Sequence, residues 1–260
     1  MAWSPPAILS DNLFDDGVPV SSTSVDSGYA VLNVIDWRPY TSWRVTGAGP
    51  HYITIDCGSA KSADTLAIMG HNLGSLGATV SLECSADNFA AETIVALAGF
   101  VPATDRIIYK PFAPLSKRYW RLKIALGGAY SPYIGILCAG TRLTFPKRMA
   151  APFDPTPQAV KARSERSTTG QLLGSVVNYI EIAVSPRWTL LDPAWIAASF
   201  DPFWETHAST LKPFFWAWEP GDHPTEVFLL SLAPDFTLSR PYPGGPRRSL
   251  SLDLIGVKEP

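Results

Sequence analysis

The sequence predicts a mainly β protein in two parts, an antiparallel β-sandwich followed by a smaller β-rich α+β domain. Three observations carry that expectation. Stretches of the first 145 residues alternate apolar and polar side chains with period two, the mark of strands with one buried face. Gly, Ser, Asn and Asp clusters punctuate them as turns, and no long amphipathic helix precedes residue 146. Beyond it, two Asp-Pro pairs announce short helices among further alternating runs.

Taken in order, "YITIDCG" sets Ile53, Ile55 and Cys57 on one face and Thr54 and Asp56 on the other. The stretch "HYITIDCGSAKSADTLAIMGHNL", residues 51–73, reads as a strand, a tight turn and a second strand with a polar tip. In "VSLECS", Val80, Leu82 and Cys84 alternate with Ser81, Glu83 and Ser85, and in "RYWRLKI", Trp120, Leu122 and Ile124 alternate with Arg121 and Lys123. Residues 146–166 carry prolines and no lasting period, so they read as a Pro-rich basic linker or arm. Lys147, Arg148, Lys161, Arg163 and Arg166 outnumber Asp154 and Glu165 there, which suits either solvation or docking on an acidic neighbour.

From 167 onward "NYIEIAVS" alternates again. Asp192-Pro193 and Asp201-Pro202 each place a capping carboxylate before a proline suited to a first helical turn, which predicts two short helices separated by the second proline. Trp195, Phe200, Phe203 and Trp204 would pack them on a sheet. "PFFWAWEP", "EVFLLSL" and "SLSLDLIGV" read as strands, the last with Leu250, Leu252 and Leu254 inward. The expected division is therefore 1–145, 146–166 and 167–260.

Composition bounds the function. The 260 residues are 46% hydrophobic and 17% charged, enough apolar content for a core and too little charge for disorder. A net charge of −2 provides no general pull toward nucleic acid or an anionic membrane, and no apolar run is long enough to insert in one. Nine Trp, nine Tyr and twelve Phe supply core and anchor residues in excess, which favours assembly. "MAWSPPAILSDNLFDDG" lacks the basic start and apolar run of a secretory signal. Cys57, Cys84 and Cys138 are too scattered for a disulfide framework or a zinc site and sit in strand-like stretches as small buried hydrophobes. Synthesis in a reducing cytoplasm is expected.

Catalytic signatures are missing. There is no GxSxG, HExxH, GxxxxGK[ST] or GxGxxG. His51, His71, His207 and His223 are dispersed, no carboxylate pair can be assigned as acid and base, and no enzyme is expected. Asp11, Asn12, Asp15 and Asp16 are spaced closely enough for a structural calcium ion, as are Asn33 and Asp36, but capping and turn duties account for such groups. No cofactor is expected. "DWRPYTSWR", residues 36–44, is the most suggestive loop. Arg38, Tyr40 and Arg44 could stack against a sugar ring or anchor a partner, while Trp43 plugs the sandwich end. His71 and Asn72 are polar groups at a strand end, either ligand-binding or turn-forming.

Residues 12–143 resemble the discoidin family, also called factor V/VIII type C, with its galactose-binding-like jelly roll. The resemblance is an ordered series: "AVLNVIDWRPYTSW", "YITIDCGSAKSADTLAI", "VSLECSADNF", "KRYWRLKI" and "IGILCAGTRL". It implies a jelly-roll domain whose loops at one end bind sugars, phospholipids or proteins. The hydrophobic spikes of membrane-binding members and the paired cysteines of many extracellular members are not identifiable here. More loosely, the second half is similar to domains of tailed-phage baseplate and tail-tip proteins, through "TTGQLLGSVVNYIEIAVSPRWTLL", "PFFWAWEP" and "SLSLDLIGV".

Together the resemblances imply a non-enzymatic structural component of a phage or prophage tail, made in the host cytoplasm and carried in the virion. It would assemble as a ring, a homohexamer by family analogy, beside the tail tube, hub or tape measure, with the jelly roll available to a host surface glycan. Lys147, Arg148, Arg163, Arg166, Phe203 and Trp204 are the candidate interface residues. The alternative is a carbohydrate-binding module recognising cell-surface glycans.

Overall fold

The computed structural model describes residues 3–21, 25–242 and 246–259. Its chain is divided into two compact units, Leu9–Arg142 and a second made of Met1–Ile8 with Leu143–Pro260. The boundaries differ from the sequence expectation at the N-terminus. Strand Ala7–Leu9 pairs with Leu143–Thr144 in the sheet of the second unit, so the first and last strands among the described residues share one sheet.

The unit Leu9–Arg142 is an antiparallel sandwich of the jelly-roll type. Its sheet runs in the order Trp43–Arg44, Tyr133–Gly140, His51–His71, Ile108–Ala125, Thr79–Ser85 and Ile94–Phe100, with Val20–Ser21 added on His51–His71. The period-two pattern places Ile53, Ile55, Leu82, Trp120, Leu122 and Ile124 in one apolar cluster, all at 1% exposure or less. Each such side chain removed from water stabilises the fold by about 1.5–3 kcal/mol. The tight turn expected near Gly58 does not end the strand: Gly58 takes φ 70 and its N–H bonds the Asp56 carboxylate at 2.8 Å. His51–His71 is one continuous strand, and its pairing with Ile108–Ala125 shifts register between Asp56 and Lys61 and again between Ala63 and Thr65. Bulges of this kind bend a strand pair without ending it, so one long strand does the work expected of two.

In the second unit the main sheet runs Leu143–Thr144, Ala7–Leu9, Phe214–Ala217, Val227–Leu232, Leu254–Val257, Leu172–Val184 and Gln158–Arg166. Segment 146–166 is therefore not all linker: Gln158–Arg166 is the edge strand of this sheet, paired along Leu172–Val184. The terminal "SLSLDLIGV" forms two strands, Arg248–Ser251 against Arg187–Leu191 and Leu254–Val257 in the main sheet. Leu250, Leu252 and Leu254 nonetheless all face the core. Asp253 marks the break; its carboxylate accepts the Ser185 hydroxyl at 2.7 Å and its carbonyl accepts the Ala233 N–H at 2.8 Å.

The two predicted helices join into one run, Pro193–Trp195, Ile196–Phe200 and Asp201–Thr206. Asp192 caps it by accepting the Ala194 N–H at 2.9 Å. The second proline does not stop the helix because the middle turn widens, with the Asp201 N–H bonding to the Ile196 carbonyl five residues back. A π-turn of this kind absorbs the lost donor of Pro202. Asp201 is not a cap; its carboxylate pairs with Arg240 at 2.5 Å. The helical run covers an aromatic core in which Phe145 stacks on Trp188 at 4.0 Å and both meet Trp216 edge-on.

Candidate functional site

The loops at one end of the jelly roll gather the residues singled out in the sequence as ligand-binding candidates, Arg38, Tyr40, Arg44, His71 and Asn72. Loop 36–42 is held by its first residue. Asp36 accepts the Arg38 N–H at 2.8 Å and the Thr41 hydroxyl at 2.7 Å, while the Thr41 N–H bonds to the Arg38 carbonyl at 3.2 Å. An aspartate that bonds its own backbone two residues on is a common turn device. Trp37 turns through φ 59 and is 9% exposed, so it ties the loop to the body of the unit. Gly70 and Gly135 admit the loop closely: a Cβ at Gly135 would lie 3.3 Å from the Thr41 carbonyl oxygen, and one at Gly70 3.7 Å from that of Pro39. Trp43 is fully buried, with its indole N–H on the Ser21 hydroxyl at 3.2 Å, and is the plug the sequence suggested.

What this rigid loop presents is Tyr40, 80% exposed, beside an exposed Arg38. Arg44 is less available. It pairs with Asp26 at 2.7 Å and lies 3.8 Å over the Tyr29 ring, opposite the partly exposed Tyr133 in the strand register. His71 and Asn72 serve the scaffold. His71 is buried, with Nε2 2.9 Å from the Arg106 carbonyl and Nδ1 accepting the Leu73 N–H at 3.2 Å. Asn72 donates to the Ser131 carbonyl at 3.0 Å and accepts the Tyr133 N–H at 2.9 Å. Both side chains have their hydrogen-bonding groups turned to backbone rather than to a ligand. The residue the sequence reading passed over is Arg106, which is exposed on the loop that His71 anchors.

The remaining candidates are dispersed in the second unit. Phe203 is a core residue, packed edge-on against Phe200 and Phe214, and Trp204 is half-buried against Phe236, so neither is a free interface anchor. Lys147 is exposed, Arg148 lies 3.7 Å from Glu219, Arg163 pairs with Glu165 at 2.9 Å, and Arg166 donates to the Gly170 carbonyl at 3.1 Å. The acidic N-terminal cluster does capping work. Asn12 caps a short helical turn, the Asp11 carboxylate accepts the Thr141 N–H at 3.0 Å, and Asp16 lies 3.5 Å from Lys61. Burial pushes the Asp11 carboxyl up. Among the described residues no group of three His, Cys, Asp or Glu side chains could hold a metal ion. The three cysteines are free and buried, and burial raises the Cys57 and Cys84 thiols to about 11.

The site scaffold carries a pH signature. Burial lowers His71, and likewise His51 and His207, below the ordinary histidine value of 6.5. The unfolded chain then takes up protons that the folded chain refuses, so stability is fully present above pH 6.5 and is lost as pH falls below it. Thermal melts between pH 8 and pH 5 are expected to show this fall, with a shallower slope in His71→Gln; a flat profile across that range would contradict it.

No protein-family model matches the chain, and no curated protein matches it. Solved structures align with about half of it. Chitosan-binding module 1 from a chitosanase/glucanase of Paenibacillus sp. IK-5 is 16% identical, with 49% of this chain and 97% of that one covered and a TM-score of 0.41. A family 32 carbohydrate-binding module of Clostridium perfringens, in complex with galactose, is 12% identical over 52% and 98%, also at 0.41. Another C. perfringens module, in complex with GalNAc-β-1,3-galactose, is 16% identical over 50% and 99%, at 0.42. TM-scores of this size carry no argument about what this chain binds.

Proposed function

We propose that the jelly-roll unit is a glycan-recognition module and that the loop Asp36–Arg44 is its binding edge. The observation that carries this is Tyr40, an aromatic ring 80% exposed on a loop whose backbone is locked by Asp36 and seated against Gly70 and Gly135. Exposing a large ring on a pre-organised loop costs solvation and gains nothing for folding. Such a ring can stack on the apolar face of a pyranose while Arg38 donates to its hydroxyls, with little ordering cost on binding. The carboxylates nearby support a binding role rather than a catalytic one. Asp26, Asp36 and Asp105 are engaged by Arg44, by Thr41 and the Arg38 N–H, and by Ser75. A glycan array followed by calorimetric titration tests this: Tyr40→Ala is expected to weaken binding by about tenfold or more. A full-strength Tyr40→Ala variant would sink the assignment.

A second reading is that the chain is also a structural component of a phage tail tip, made in the host cytoplasm and built into the virion as a ring; what bears on it is a surface suited to self-association, the hairpin of Gln158–Arg166 and Leu172–Val184. The apolar face that buries Ile182 and Val184 continues outward along Val160, Val177 and Leu172, which are 57–61% exposed. A two-stranded ribbon is marginal alone in water, and this one offers an apolar face for another layer. The occupant is a second copy of this chain. Light scattering is expected to give a multimeric mass that Leu172→Asp with Val177→Asp reduces to a monomer; a wild-type monomer at all concentrations would refute it.

A further inference from the structure

We infer that the saccharide taken by the Tyr40 end carries a carboxylate, as a uronic or sialic acid residue does; this rests on the glycan-binding reading. The observation is a mismatch among the arginines of the jelly-roll unit. Arg44, Arg118, Arg121 and Arg142 each hold a carboxylate, at 2.6–3.5 Å. Arg38 and Arg106 are exposed and hold none among the described residues, and both lie on loops anchored at consecutive positions of one strand. The Arg38 loop is seated over Gly70, and the Arg106 loop is bonded to His71.

An exposed arginine without a partner is ordinary by itself. Two of them on loops that meet one strand end, one of those loops also carrying the exposed Tyr40, are a donor set that lacks its acceptor. The local carboxylates cannot supply it. Asp36 is turned to the Arg38 N–H and Thr41, and Asp105 to the Ser75 N–H and hydroxyl. The charged groups left free at this edge are thus the two guanidinium forks of Arg38 and Arg106. Their complement is a planar carboxylate, which a guanidinium grips through two parallel hydrogen bonds. Because Asp36 and Asp105 balance the arginines' charge, selectivity comes from this short-range geometry and not from a long-range field.

The test compares acidic oligosaccharides, oligogalacturonate and a sialylated lactose, with their carboxyl-reduced neutral counterparts on the full chain. Carboxyl reduction is expected to weaken binding by about tenfold or more. Arg38→Gln and Arg106→Gln should each weaken the acidic form and leave the neutral form nearly unchanged. Equal binding of acidic and reduced forms, or preference for a sulfated sugar, overturns the inference and leaves the glycan reading in place. Binding of no saccharide, acidic or neutral, overturns both.

Discussion

Replacing Asn12 by alanine is expected to lower the unfolding free energy by about 3–5 kcal/mol. Asn12 is 6% exposed and uses both ends of its amide. Its Nδ2 donates to the Leu137 carbonyl at 3.0 Å, and its Oδ1 accepts the N–H groups of Phe14 and Ala139, each at 3.2 Å. The side chain therefore pins the entry of the chain into the jelly roll onto strand Tyr133–Gly140. Alanine would leave a buried carbonyl and two buried N–H groups without partners, at about 1–3 kcal/mol each before any relaxation. Chemical denaturation followed by circular dichroism measures the change. A loss below about 1 kcal/mol would mean that water satisfies all three groups and that the pin is unimportant.

Trp120→Ala is expected to cost about 3–5 kcal/mol for a different reason. Its indole is fully buried at the centre of the sandwich, tilted against Phe112 with ring centroids 6.4 Å apart, and its N–H donates to the Lys117 carbonyl at 2.9 Å. Truncation leaves a cavity between strands that bury both neighbours, Leu122 and Ile124, completely. Trp120→Phe should recover more than half of the loss, because it restores most of the volume and leaves only the Lys117 carbonyl without its donor. If alanine and phenylalanine were equally damaging, the hydrogen bond would be the dominant contribution and the packing account would be wrong.

The strands were legible because each writes its buried face in period two: Ile53, Ile55 and Cys57, or Trp120, Leu122 and Ile124, are placed inward as their spacing predicts. What local pattern does not encode is whether a strand ends. Gly58 with its polar neighbours reads as a tight turn between two strands, yet the chain runs on as one strand through a bulged register. "SLSLDLIGV" keeps one alternation and still divides between two pairings, because which strand lies alongside is decided by residues far away. Segment 158–166 looked like linker for the same reason, since its strand depends on Leu172–Val184 and not on its own sequence.

The candidate site was partly legible. Aromatic and guanidinium residues crowded in "DWRPYTSWR" flagged the loop, and Asp36 at its head is a recognisable turn former. The sequence could not separate Trp43 and Arg44, which the fold spends on packing and on Asp26, from Arg38 and Tyr40, which it leaves outside. His71 and Asn72 drew attention as polar groups at a strand end, but their roles are set by Arg106, Ser131 and Tyr133, distant in sequence. Arg106 carried only a weak signal, an arginine in the turn "ATDR" just before a strand.

The measurement that bears most directly on the central claim is amide NMR mapping of the chain titrated with an oligosaccharide found on a glycan array. The account predicts shifts concentrated at residues 36–44, around Gly70 and His71, and at residues 104–106. Shifts confined to the other unit, for example around the recess of about 220 Å³ lined by Trp3, Phe153 and Trp218, would contradict it.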